Sequence, residues 1–499
     1  MKRVAALVIA TMLLGAPSVG GEPAAAVDAR SGPHLFVDDF LIEQAAGVTK
    51  VTQPPKRHRD GPVIGWEQHT TQPYVTVLQD PETGKFRMWY NAHAGQDATI
   101  AYAESDDGEN WTTPSLGIVG ADNRLFVIGR SQEHGSYGVS VIDDGPRERD
   151  PGRRFKLIWW SGTSEPAGLS VAWSADGLRW TQYAKNPVLP YYETTHAKAA
   201  IGVGDIVDLF YDPIRNRYAS LLKLHATRVD GWPAGPRAGT AFRRLVGQSV
   251  SDDFFNWKEP WRVMVPEQRD AGRLEFYSAG GTIARGPLLI AFVRMLHDDY
   301  SPEPGVLDDN SVTPGIGYTT LATSRDGEHW HRHDDIFFDR NAQSGTWDRA
   351  MSWIGCALPV GEELYLYYGG YKRGHKIEPG KERQIGLVKM RMDRFVSREA
   401  RGAKPGVLRT TLLSNLASAT SQLTVNAEAT GGRIRAQVLD AGGKVVPGFS
   451  FDDCEPVTGD GLALPVRWKA TLSELKQDQV RLEFEITDAK LFGFEVRSS

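Results

Sequence analysis

Five acidic residues stand where they could do acid–base chemistry. They are Glu67, Asp205, Asp208, Glu275 and Asp348. Each lies at or just before a short apolar stretch that reads as the first strand of a repeated unit. Cleaving a glycosidic bond needs two carboxyl groups. One donates a proton to the leaving oxygen, and the other activates water or attacks the sugar. A third carboxylate nearby raises the acid's pKa by like-charge repulsion. Glu275, in Leu274-Glu275-Phe276-Tyr277, has apolar neighbours suited to such an acid. Asp205 and Asp208 are three apart, so on a regular strand they point to opposite faces. Glu67 follows Trp66, and Asp348 follows Trp347. His69, His225, Arg294 and His375 could hold hydroxyl or carboxylate groups of a sugar.

Residues this far apart can meet only if the chain returns to one axis repeatedly. The turn that marks the return is Ser-x-Asp-Gly-x-x-Trp. It occurs at Ser105–Trp111, Ser174–Trp180 and Ser324–Trp330, with a degenerate copy at Ser251–Trp257. The closing tryptophans are 69, 77 and 73 residues apart. A near-constant period signals a repeat architecture. In the turn, Asp accepts backbone hydrogen bonds, Gly supplies a positive φ and Trp contributes apolar area.

A second phrase alternates with the first. Asp80-Pro81, Asp150-Pro151 and Asp212-Pro213 each open a turn into an apolar strand. Each unit reads as a four-stranded meander, the blade of a propeller. Five are expected, at about 66–118, 136–190, 200–265, 272–338 and 348–397. No stretch holds a convincing helical period over 12 residues. Loops between strands are longer than a bare blade needs, notably Leu224–Arg243 and Asp298–Pro314, and long loops on a rigid ring carry function. The second, with Asp298-Asp299 and Asp308-Asp309, is expected to be a solvated lid. The strand His34–Ile42 is expected to close the ring against Gly386–Arg391.

The predicted fold is therefore all-β: a five-bladed β-propeller followed by a small C-terminal β-sandwich. The boundaries are residues 1–26 for a secretory signal, 30–402 for the catalytic propeller and 407–499 for the sandwich. Lys2 and Arg3 precede the short apolar run Ala5–Leu14, too short to span a membrane, which leads to a secreted or periplasmic protein. Period-two strands from Gln422 onward define the sandwich, read as a brace for the propeller. A net charge of −5 argues against a nucleic-acid partner. Cys356 and Cys454 are expected to be two buried thiols, with one bridge as the alternative. The Asp pairs are not spaced as a calcium loop, and neither metal nor cofactor is expected.

The blade order, the Asp-Pro turns and the Ser-Arg-Asp-Gly-x-x-Trp turn resemble two families of five-bladed glycoside hydrolases. These are family 32 (invertases and inulinases) and family 43 (arabinanases and xylosidases). The phrases Leu35–Asp39, Phe210–Pro213, Gly345–Asp348 and Gly448–Cys454 resemble those of exported bacterial proteins described as family-32-like. The resemblance implies an exported glycosidase acting on a plant or algal poly- or oligosaccharide, with no membrane span. The departures are specific. The invertase Trp-x-Asn-Asp-Pro-Asn phrase and Glu-Cys pair are missing, and Arg149-Asp150-Pro151 falls in an outer turn. Fructan specificity is not supported. The second reading is a non-catalytic carbohydrate-binding propeller. A third, a lyase, would lean on His225 and Arg294.

Overall fold

The structure is a computed structural model. It describes residues 25–68, 70–94, 96–130, 136–162, 164, 166–191, 201–227, 242–265, 267–270, 275–297, 315–375, 383–417 and 421–498. The expected lid at Asp298–Pro314 lies outside the described residues. Five antiparallel meanders follow one another in sequence. Their inner strands are Thr70–Gln79, Tyr137–Asp143, Ile201–Asp212, Glu275–Arg285 and Met351–Val360. Each inner strand touches that of the next blade, and the fifth touches the first, so the ring is closed. The protein is a five-bladed β-propeller with a C-terminal β-sandwich.

The repeated turns sew the blades together. In the first copy Asp107 accepts the amides of Glu109 and Asn110, both at 2.8 Å. The turn glycines Gly108, Gly177 and Gly327 have φ of 74°, 73° and 64°. The degenerate copy holds the same geometry with Phe254 at 72°, offset by packing of its ring beside Trp257 and Tyr218. The carbonyl of each turn glycine is held by the preceding blade. Tyr367 of blade five donates to Gly108 (2.7 Å), Trp89 of blade one to Gly177 (2.7 Å) and Gln248 of blade three to Gly327 (2.6 Å). At the fourth turn, Lys156 of blade two lies over the Phe254 ring.

The closing strand is not the expected one. His34–Leu35 pairs with Gly493–Phe494 in the sandwich. Blade five is completed by Lys56–Arg57, paired with Val388–Lys389, and by the bridge of Ile64 to Ile385. The N-terminal strands Val27–Asp28, Ile42–Ala46 and Thr49–Thr52 also join the sandwich sheet, so the propeller's first strand lies later than residue 30. The His34 ring stacks on Phe494 and Leu35 is buried, and burial there outweighs an edge position on the ring.

The 20-residue strand Ser421–Asp440 organises the sandwich. Its first half pairs with Ala489–Ser498 and its second half with Gln479–Thr487, folding the sheet over one apolar core. Ion pairs fix the sandwich to the ring: Arg285 to Asp393 (2.6 Å) and Arg325 to Asp38 (2.8 Å). Cys356 and Cys454 are both buried, free thiols.

Candidate functional site

The two rims of the propeller are built differently. The Asp-Pro turns and the repeated Ser-Asp turns all lie where the inner strands end. The strand ends that flank the long connections lie where the inner strands begin. All five inner strands carry a register irregularity partway along. These fall between Thr70 and Val75, Tyr137 and Ser140, Val203 and Val207, Gly280 and Ile283, and Ile354 and Cys356. A bulge turns side chains off their regular alternation. The parity argument that separated Asp205 from Asp208 therefore fails, because the bulge of blade three lies at Asp205.

Just beyond the bulges, inner strands of adjacent blades face one another without a ladder. Their axis-facing amides need acceptors. In four of the five blades one side chain supplies an acceptor to the next blade. Thr76 accepts from the Val141 amide (3.1 Å), Ser140 from Leu209 (2.8 Å) and Asp208 from Gly281 (3.1 Å). Cys356 accepts from Val77 (3.3 Å), closing the circle between blades five and one. Burial pushes that thiol up to about 12, so it is a neutral acceptor and not a nucleophile. In blade four the ring position is Gly280, which has no side chain.

Asp208 is the one acid in this ring. Its second oxygen accepts from the Thr282 hydroxyl (3.3 Å). Burial pushes its carboxyl up to about 6, against the attraction of Arg294 and the bonds from Gly281 and Thr282. Arg294 comes from the second strand of blade four and is buried. Its Nε donates to the Ile354 carbonyl (3.1 Å) and its Nη1 to the Ser278 hydroxyl (2.9 Å). The guanidinium also lies 5.7 Å from the centre of the Tyr74 ring. Below the ring, toward the turn rim, a cavity of about 350 Å³ is lined by Thr76, Ser140, Asp208, Thr282 and Cys356 among others.

The other sequence candidates are distributed as follows. Glu67 is exposed in a single 3₁₀ turn, Trp66–Gln68, at the start of blade one, and its carboxylate folds back over Gly65. Glu275 is the first residue of its inner strand, opposite Leu296 and three before Ser278. His225 pairs with Gly202 and Arg244 in blade three. The side chains of Asp205, Glu275 and His225 lie outside what the structure describes, and His69 lies outside the described residues. Asp348 is buried and engaged at the ring closure. It accepts from Arg57 Nε (3.0 Å) and the Tyr368 hydroxyl (3.0 Å). Its neighbour is the closing strand and not the axial ring. His375 follows the second strand of blade five, Glu363–Tyr371, with its ring 6.0 Å from that of Trp353 on the inner strand.

Asp208 and Arg294 are thus brought together, on adjacent blades. Thr76, Ser140, Ser278 and Thr282 were not anticipated. The Gly280-Gly281 pair inside a strand was the available signal, since glycine there marks a bulge or close approach. Among the described residues no three His, Cys, Asp or Glu side chains gather as a metal site would, and no helix is long and apolar enough to cross a membrane.

No protein-family model and no curated protein matches the sequence. Several solved structures are similar to it. One, a BT0996 complex with RGII, is 16% identical, with 68% of this protein and 92% of that one covered and a TM-score of 0.43. A second is described under the GH130 family of mannoside phosphorylases, a family said to contain glycoside hydrolases that target β-1,2 mannosidic linkages in Candida mannan (12%, 72% and 97%, 0.41). A third is an N-acetylgalactosamine deacetylase from F. plautii in complex with blood group B trisaccharide (15%, 70% and 97%, 0.42). None of these three names the invertase or arabinanase families.

Proposed function

We propose that this protein is an exported glycoside hydrolase, secreted or periplasmic, cleaving a plant or algal poly- or oligosaccharide by two-carboxyl chemistry. The observation that carries this reading is the acid in the axial ring. Thr76, Ser140 and Cys356 cap a neighbouring amide with a hydroxyl or thiol. Asp208 does the same with a carboxyl, which costs more to bury. Capping alone does not call for an acid, so the carboxyl has a second use.

Asp205 and Glu275 belong to the first halves of inner strands and Glu67 to the turn just before one. We assign the reacting pair to two of these three. One donates its proton to the glycosidic oxygen as the bond to the anomeric carbon breaks. The other takes a proton from the attacking water, or bonds to that carbon, depending on a separation of about 6.5–9.5 Å or about 5–5.5 Å. Asp208, deeper on the axis, keeps the acid's pKa high by like-charge repulsion when ionised. His69, His225 and His375 are assigned to sugar hydroxyls. Asp348, held by Arg57 and Tyr368, is assigned no reacting role.

The test is a screen of oligosaccharide libraries with wild type, Glu275→Gln and Asp208→Ser. The serine variant retains a capping hydroxyl, as Ser140 does. Hydrolysis by wild type, with loss in the variants and unchanged folding, is the expected result. Equal turnover by all three would remove both residues from the mechanism. Binding without turnover by wild type would favour the non-catalytic carbohydrate-binding propeller.

A further inference from the structure

The axial ring has five places and four capping side chains. At the fifth place a Cβ built on Gly280 would lie 2.8 Å from Arg294 Nη2 and 3.1 Å from Asp208 Oδ1. A Cβ on Gly281 would lie 3.2 Å from the Ala357 amide, the blade-five equivalent of the capped amides. The empty place is thus filled from the side, by a guanidinium belonging to the second strand.

We propose that Gly280 is a positioning residue of the axial site: lacking a side chain, it admits the Arg294 guanidinium to the ring opposite Asp208, so that the one acid of the ring faces a fixed cation. This deepens the hydrolase reading by naming the cation that faces its deepest carboxyl, and in that respect rests on it. The geometry leaves little slack. Real Cβ atoms do not approach within 3.0 Å of other heavy atoms, so any residue but glycine must displace Arg294. Arg294 is meanwhile held by Ser278 and the Ile354 carbonyl, so its displacement strains those two bonds. Planar forks lose less freedom per bond formed than a lysine does, so Arg suits a buried, fixed cation.

Among the described side chains, the groups around Asp208 are these. Arg294 and Thr282 face it from blade four, and Cys356 from blade five. Asp143 and Arg147 of blade two line the cavity below. Of these, Arg294 is the cation that favours the ionised form.

The experiment reads the ionisation of Asp208 without any substrate. Melting temperature is recorded between about pH 4 and 8 for wild type and Asp208→Asn, and the difference isolates this carboxyl. Its folded pKa lies above the unfolded value of about 3.9. Ionising it therefore costs the folded protein, and wild type falls relative to Asp208→Asn as pH rises through about 6. The same pair of curves in a Gly280→Ala background is expected to show the step about one pH unit higher, a tenfold change in the ionisation constant. Arg294→Met should move it likewise, and Arg294→Lys less. A step that stays at the wild-type pH in folded Gly280→Ala overturns the proposal, whether or not Arg294→Met moves it. If Gly280→Ala does not fold, the double variant Gly280→Ala/Arg294→Met decides: recovery of folding supports the clash with the guanidinium, and no recovery overturns the proposal. A moved step in a protein that hydrolyses nothing would retain this inference and remove the hydrolase reading.

Discussion

The two rims of the propeller obey different rules. The turn rim is made of short, self-capped motifs. Asp107 accepts two amides of its own turn, and the Gly108 carbonyl is tied to Tyr367 of the adjacent blade. The polar groups of that turn are used within the fold. The opposite rim carries the strand ends that flank the long connections, the exposed Trp66 and Glu67, and, below it on the axis, a buried acid beside a buried cation. The comparison teaches where to look: residues whose polar groups are wholly engaged in stitching say little about function, and a group that is costly to bury, in a place where a milder one suffices, says more.

The largest expected effect sharpens that contrast. Asp208→Ser should lower kcat/KM by about 10²-fold or more while leaving the melting temperature equal or higher, since a buried carboxyl is exchanged for a hydroxyl. Unchanged turnover on a substrate that wild type cleaves would erase the distinction between ring and site.

Cys356 tests the ring in the opposite direction. Cys356→Ala strips the acceptor from the buried Val77 amide and should cost about 1–3 kcal/mol. Cys356→Ser, which retains an acceptor, should cost less. Equal losses in chemical denaturation would show that volume and not capping decides there. On the turn rim, Tyr367→Phe removes the bond to Gly108 and should cost about 1 kcal/mol with kcat unchanged. A fall in kcat would couple that rim to the chemistry.

The smallest effect is electrostatic. The amides of Asn110 and Glu109 hold the Asp107 carboxyl well below the usual carboxylate range. With a depressed folded pKa, its contribution is present above the unfolded value of about 3.9 and is lost as pH falls below it. Asp107→Asn should therefore lose part of the wild-type acid sensitivity below about pH 4, seen in melting temperature against pH. Parallel curves for the two proteins would contradict this.

The sequence made the turn rim legible and left the axis largely dark, for a physical reason. A Ser-x-Asp-Gly-x-x-Trp turn is determined by residues within seven positions, so its pattern survives in the linear text. Thr76, Ser140, Asp208 and Cys356 do one job, but each is specified by a neighbour from another blade, and four different residue types serve. Nothing local marks them. Asp208 and Arg294 are nonetheless among the sequence candidates, the first as an acid at a blade's first strand and the second as a cation suited to sugar hydroxyls or carboxylates. The parity rule for Asp205 and Asp208 needs a regular strand, and the bulge between Val203 and Val207, with Gly204 inside it, removes that condition. Ring closure was expected in kind but assigned to the longer strand at His34. The strand that does it, Lys56–Arg57, has two residues and no alternation to read.

Strands from both ends of the polypeptide lie in one sheet: Val27–Asp28 beside Leu413–Ser414, and Thr49–Thr52 beside Val396–Ala400. The seam between the first and last blades therefore lies between two segments anchored in the same place, as a belt is held at its buckle. An excised wheel, cut after the last blade, would lose the partner of its leading segment. What looks like an appendage by order of synthesis is the fastening that lets the circle stay shut.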